Sequence, residues 1–93
     1  MDITRLVWAD HNVQKLAEHG ISKGEVQSVV ALNDWETYVH EDYPEQVRIV
    51  GRTAEGRLIA VVLDPCDEPD VWRPVTGWEA TDDEREYYRE EHP

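Results

Sequence analysis

Residues 46–63 read "QVRIVGRTAEGRLIAVVL", and the fold turns on how that stretch divides. "QVRIVGR" alternates, with Val47 and Ile49 on one side and Arg48, Val50 and Arg52 on the other, the period of two that marks a β-strand. "TAEG" interrupts the pattern, and Gly56 supplies a hairpin turn. "RLIAVVL", Arg57–Leu63, is then apolar at every position after its arginine, as expected of a central strand covered on both faces. A hairpin of this kind calls for a sheet with further elements packed against it.

Those elements are legible on either side. Toward the N-terminus, "WETYVH" (Trp35–His40) is rich in aromatic and β-branched residues and reads as a strand, with a turn over Glu41–Glu45. Ser22 and Glu25 form a capping box ahead of the Val26, Val29, Val30 stripe, which predicts a helix near 23–32. Asp10 offers an N-cap, and Val13, Leu16 and Ala17 at helical spacing before Gly20 predict a helix near 11–19, so the two helices make a hairpin. "RLVW" (Arg5–Trp8) supplies a first strand. Toward the C-terminus, the acidic loop "DPCDEPD" leads to a strand over Val71–Trp78, in which Pro74 demands an edge or a bulge. Thr81 and Glu84 form a second capping box, opening a helix near 82–90. The order β-α-α-β-β-β-β-α over residues 1–93 predicts a single α+β domain, an antiparallel sheet with the helical hairpin and the C-terminal helix packed on it.

Composition narrows the function classes. Ninety-three residues make one small domain, and 40% hydrophobic content suffices for a globular core. The lone cysteine, Cys66, rules out an internal disulfide, and no apolar run suits a signal peptide or a membrane span, so the expectation is a soluble cytoplasmic protein without a membrane partner. A net charge of −12 repels nucleic acid at long range, yet residues 48–63 carry three arginines against one glutamate, a basic island in an acidic chain. The acidic remainder reads either as a solvated surface adapted to salt or as a face for a basic partner.

No metal or cofactor is expected. Asp64, Asp67 and Asp70 lack the glycine and closing glutamate of a calcium loop, and the spacing from Gly51 to Gly56 lacks the Lys-Ser/Thr of a phosphate loop. Cys66 sits in an acidic loop and is not expected to be a nucleophile. Among the histidines, His11, His40 and His92 read as surface or tail residues, while His19 just before Gly20 suits either a helix C-cap or a proton-transfer role.

Three stretches resemble the BrnT-like toxin family. "LVWADHNVQKLAEHGISKGEVQSVV" is similar to its opening, "GRTAEGRLIAVVL" to its central hairpin, and "RPVTGWEATDDEREYY" to its closing strand and helix. Trp78 stands where that closing motif usually has arginine, and Glu18 where lysine or arginine often precedes the His-Gly pair. The resemblance implies a RelE-like fold, metal-independent cleavage of RNA, and neutralisation by a small antitoxin, for which a ribbon-helix-helix protein is the expected type; a homodimer is a further expectation.

Such cleavage uses the RNA 2′-hydroxyl as nucleophile, so the protein must move protons and stabilise a charged phosphorane, a task for arginine forks. On that reading His19, Arg48 and Arg73 are the candidate catalytic residues, and Arg52, Arg57 and Trp78 the candidate substrate contacts. Four guanidiniums on one sheet face would make the phosphate site; the competing reading makes them ordinary cross-strand partners of acids such as Glu36 and Glu55. Trp78 suits base stacking or a protein contact equally. The alternative function is a non-catalytic binding module whose acidic surface takes a basic protein.

Overall fold

A computed structural model describes residues 1–39 and 45–91. The elements run β1 (Arg5–Leu6), α1 (Asp10–Glu18), α2 (Lys23–Leu32), β2 (Trp35–Val39), β3 (Val47–Arg52), β4 (Leu58–Pro65), β5 (Val71–Glu79) and α3 (Asp82–Glu91). This is the expected α+β order. His40 and most of the expected turn at 41–45 lie outside the described residues, as does His92.

The sheet order is β1-β5-β4-β3-β2. All pairings are antiparallel but one: β1 is only two residues long and runs parallel to β5, pairing Arg5 with Val71 and Leu6 with Trp72. The expectation of a fully antiparallel sheet and of a strand reaching Trp8 is corrected here. The central hairpin falls as read, with Arg48 opposite Val62 and Val50 opposite Ala60. β5 loses register with β4 between Val62 and Leu63, where Thr76 pairs with Val62 and Pro74 with Leu63. Val75 is the extra residue, and the bulge accommodates a proline that has no N–H for the ladder.

Two cores lie on the two sheet faces. The helical hairpin covers one, where Leu16, Ile21, Val26 and Val29 pack on Ile49, Ile59, Val61 and Leu63. On the other, Tyr88 of α3 packs with Val50, Leu58, Ala60 and Ala80, flanked by Tyr38 and Trp78. The alternation of β3 therefore sends Arg48 and Arg52 to the α3 face. The helix ends explain themselves only in part. Ser22 and Glu25 exchange bonds of 3.0 Å each, the expected capping box, and Thr81 with Glu84 makes the second. Asp10, by contrast, lies inside the first turn of α1, whose N-cap is Ala9 with no side-chain bond.

α1 lies along β5 because Gly77 leaves room for it. A Cβ at Gly77 would stand 2.8 Å from the Ala60 carbonyl oxygen and 3.0 Å from Leu16 Cδ2. Asn12 reaches the Val75 carbonyl at 3.5 Å, and Gly20, at the far end, meets Arg57. α1 thus runs beside β5 in the same direction. No helix among the described residues is long and apolar enough to cross a membrane, and no cluster of acids, histidines or cysteines there could hold a metal.

Candidate functional site

Arg48, Arg52 and Arg73 lie on β3 and β5, which flank β4, and Arg57 lies in the turn before β4, but the arginines do not converge. Arg48 leaves β3 on the α3 face and is held between aromatic rings, its guanidinium 4.8 Å from the Tyr38 centroid and 5.5 Å from that of Trp78. Its Nη1 donates to Glu84 Oε2 at 3.0 Å, with side chains 16% and 2% exposed. The other Glu84 oxygen accepts from Trp78 Nε1 at 3.0 Å and from the Thr81 amide at 2.8 Å. Arg48 Nε is buried and finds no acceptor among the described residues.

Arg73 opens on the same side. It faces Asp64, two residues beyond Val62, and donates to that carboxylate at 3.1 Å; Gln46 donates to the other Asp64 oxygen. Arg52 lies on this face too, bonded to the Gly56 carbonyl and stacked over Tyr88. Arg57 departs from the expectation. Residing in the turn before β4, it donates to Gly20 and Glu25 of the helical hairpin, on the opposite side of the sheet, and lies 3.5 Å from Glu79. Burial pushes the Glu25 carboxyl up, but the Ser22 amide and Arg57 outweigh it and hold it below its ordinary value. The bond to Glu25 in turn raises Arg57. Four guanidiniums on one face is therefore corrected to three, because a turn residue does not obey the strand's alternation.

α3 covers the β2–β3 side of its face and the start of β4, and beside it lies a cleft of about 360 Å³. Arg48, Thr76 and Trp78 line it from the sheet, Gln46 closes it toward Asp64, and Lys15 reaches in from α1 around the β5 edge. His19, the C-cap of α1, stands four residues beyond Lys15, one turn along the same side of the helix. Its side chain is exposed and its amide bonds Leu16, so it serves as the helix terminus while leaving the imidazole outside the core. Lys15 was missed because an exposed lysine on an amphipathic helix reads as solubility; only the packing of α1 beside β5 carries it to the cleft. Glu84 was read as a cap and nothing more.

The cleft therefore brings together the Lys15 ammonium, the Arg48 guanidinium paired with Glu84, and the Trp78 indole.

Comparison with known proteins agrees with the fold. The family described as "Domain of unknown function (DUF4258)" matches residues 8–75. No curated protein matches the chain in sequence. The crystal structure of the Brucella abortus ribonuclease toxin BrnT superposes with a TM-score of 0.64 at 14% identity, over 83% of this chain and 96% of that one. The chain has the fold of that toxin, and by the match over residues 8–75 it belongs to the DUF4258 family.

Proposed function

We propose that the protein is the ribonuclease toxin of a toxin–antitoxin pair and that it seats RNA in the cleft beside α1. The observation that carries this reading is the meeting of Lys15 and Arg48 with Trp78 in one open cleft, His19 a turn away, on a chain of net charge −12. The 2′-oxygen attacks the adjacent phosphorus, the bond to the 5′-oxygen breaks, and a 2′,3′-cyclic phosphate and a 5′-hydroxyl result. Lys15 and Arg48 balance the charge on the phosphorane. His19 takes the 2′-proton, and the Lys15 ammonium protonates the departing oxygen. Arg73, tied to Asp64, positions the Gln46 end of the cleft; Arg57 holds the Gly20 carbonyl and so fixes the end of α1 beneath His19. Arg52 binds substrate farther along the same face. The partner that silences such a protein is a small antitoxin, and a ribbon-helix-helix protein fits the family resemblance.

Induced expression, with growth and total RNA followed together, tests this. The reading predicts growth arrest and RNA fragments ending in cyclic phosphate. Normal growth with intact RNA, from soluble folded protein, refutes it.

One observation favours a second reading, a binding module without catalysis. Arg48, Arg57 and Arg73 are each already paired to a carboxylate. A basic protein captured by the acidic surface, with no RNA cleaved, is the outcome that reading predicts.

A further inference from the structure

Arg52, Arg85 and Arg89 surround a second cleft, of about 300 Å³, between the end of β3 and α3. Leu58 and Tyr88 form its wall, and Asp34 is the single carboxylate lining it. Arg85 and Arg89 are one helical turn apart on α3, a like-charge spacing that destabilises a helix unless an anion answers it. The helix offers each an acid three residues earlier, Asp82 and Glu86. Neither is used: the ion pairs among the described residues engage Arg5, Arg48, Arg57 and Arg73, and none engages Arg52, Arg85 or Arg89.

This is a third of the nine basic residues, gathered around one cleft of a protein with twenty-one acidic ones. Arg52 is pre-positioned by its bond to the Gly56 carbonyl and by the Tyr88 ring 5.5 Å away. Asp34 is in turn engaged by the Tyr88 hydroxyl, which donates to it at 2.9 Å. Three guanidiniums against one carboxylate leave an excess of two positive charges, matching a phosphate monoester, which carries about −1.5 to −2 near neutral pH. Guanidinium forks suit its oxygens, and the exposed positions of Arg52 and Arg89 leave the mouth open.

We propose that this cleft binds a phosphate monoester, either the terminal phosphate of an oligoribonucleotide or a small phosphorylated compound. The site is a different cleft from the one beside α1, shares only Arg52 with the proposed RNA path, and stands whether or not the protein cleaves RNA.

Binding of inorganic phosphate, followed by two-dimensional NMR at constant ionic strength, tests it. The expected result is saturable shifts at Arg52, Arg85, Arg89 and Tyr88. An Arg85→Gln/Arg89→Gln double variant, folded as judged by the rest of its spectrum, loses affinity by about tenfold or more. Replacing Arg5, an exposed arginine elsewhere, leaves affinity unchanged. A 5′-phosphorylated oligoribonucleotide binding more tightly than inorganic phosphate identifies an RNA end as the source; equal affinities identify a small compound. A 5′-hydroxyl oligonucleotide that binds the cleft as tightly as the phosphorylated one overturns the assignment. Non-saturable shifts, or equal affinity in the double variant, do the same.

Discussion

Glu84 stands 3.0 Å from Arg48 and is 2% exposed, so the cation that lines the cleft is anchored to the first turn of α3. One carboxylate joins three elements: it closes the α3 cap, accepts the Trp78 indole N–H and pairs with Arg48. Removing one partner of a buried pair strands the other's charge and costs about 3–5 kcal/mol. Glu84→Gln and Arg48→Met should each destabilise by roughly 3 kcal/mol in urea, with a coupling of at least about 1 kcal/mol in the double variant. Arg73→Ala breaks a pair whose arginine is 43% exposed and should cost no more than about 1 kcal/mol. Equal costs at Arg48 and Arg73 would contradict this ranking.

Gly77 sets the approach of α1 and therefore the reach of Lys15. An added methyl meets the Ala60 carbonyl at 2.8 Å, and a backbone atom in a central strand yields little. Gly77→Ala should cost about 1–3 kcal/mol, a fall in Tm of roughly 5–20 °C. An unchanged Tm would mean that α1 is not seated on β5 as described.

The link between Glu25 and Arg57 predicts a pH dependence. Glu25 titrates lower in the fold than its ordinary value of 4.5, so the unfolded chain holds the proton more readily. The stabilisation is complete above that value and is lost as the pH falls through the folded one. Glu25→Gln should lower the urea midpoint near pH 6 and narrow the gap between about pH 6 and about pH 3. A gap as wide as in the wild-type protein would assign the acid sensitivity elsewhere.

At the alkaline end, burial raises both Tyr87 and Tyr88, helped at Tyr88 by its bond to Asp34. Their protonated forms are favoured by folding, so this contribution holds below the free phenol's value near 10 and disappears as the pH rises through the folded ones. Ultraviolet titration should show late ionisation that is reduced in Tyr87→Phe and in Tyr88→Phe. Late ionisation unchanged in both variants would refute the placement of Tyr87 and Tyr88.

Much of this architecture was legible in the chain because its signals are local. The alternation of Val47–Arg52, the apolar run into Leu63 and the capping boxes at Ser22 and Thr81 each fall within a few residues, and each element formed. β1 was misjudged because its pairing with Val71 and Trp72 spans most of the chain. The site resisted for a similar reason. Alternation correctly put Arg48 and Arg52 on one face, but nothing local shows that Glu84 claims Arg48 or that Arg57 turns to Glu25. The Arg85–Arg89 spacing was visible in "REYYR"; its significance depends on Arg52, brought alongside only by the sheet.

The most direct test of the proposed RNA site is a titration of the labelled protein with a 5′-hydroxyl oligoribonucleotide, read by NMR. The account predicts salt-sensitive shifts at Lys15, Arg48, Thr76 and the Trp78 indole, greatly weakened by Lys15→Ala in a protein of unchanged Tm. Absence of shifts at these residues, or shifts confined to the outer surface of α2, would contradict it.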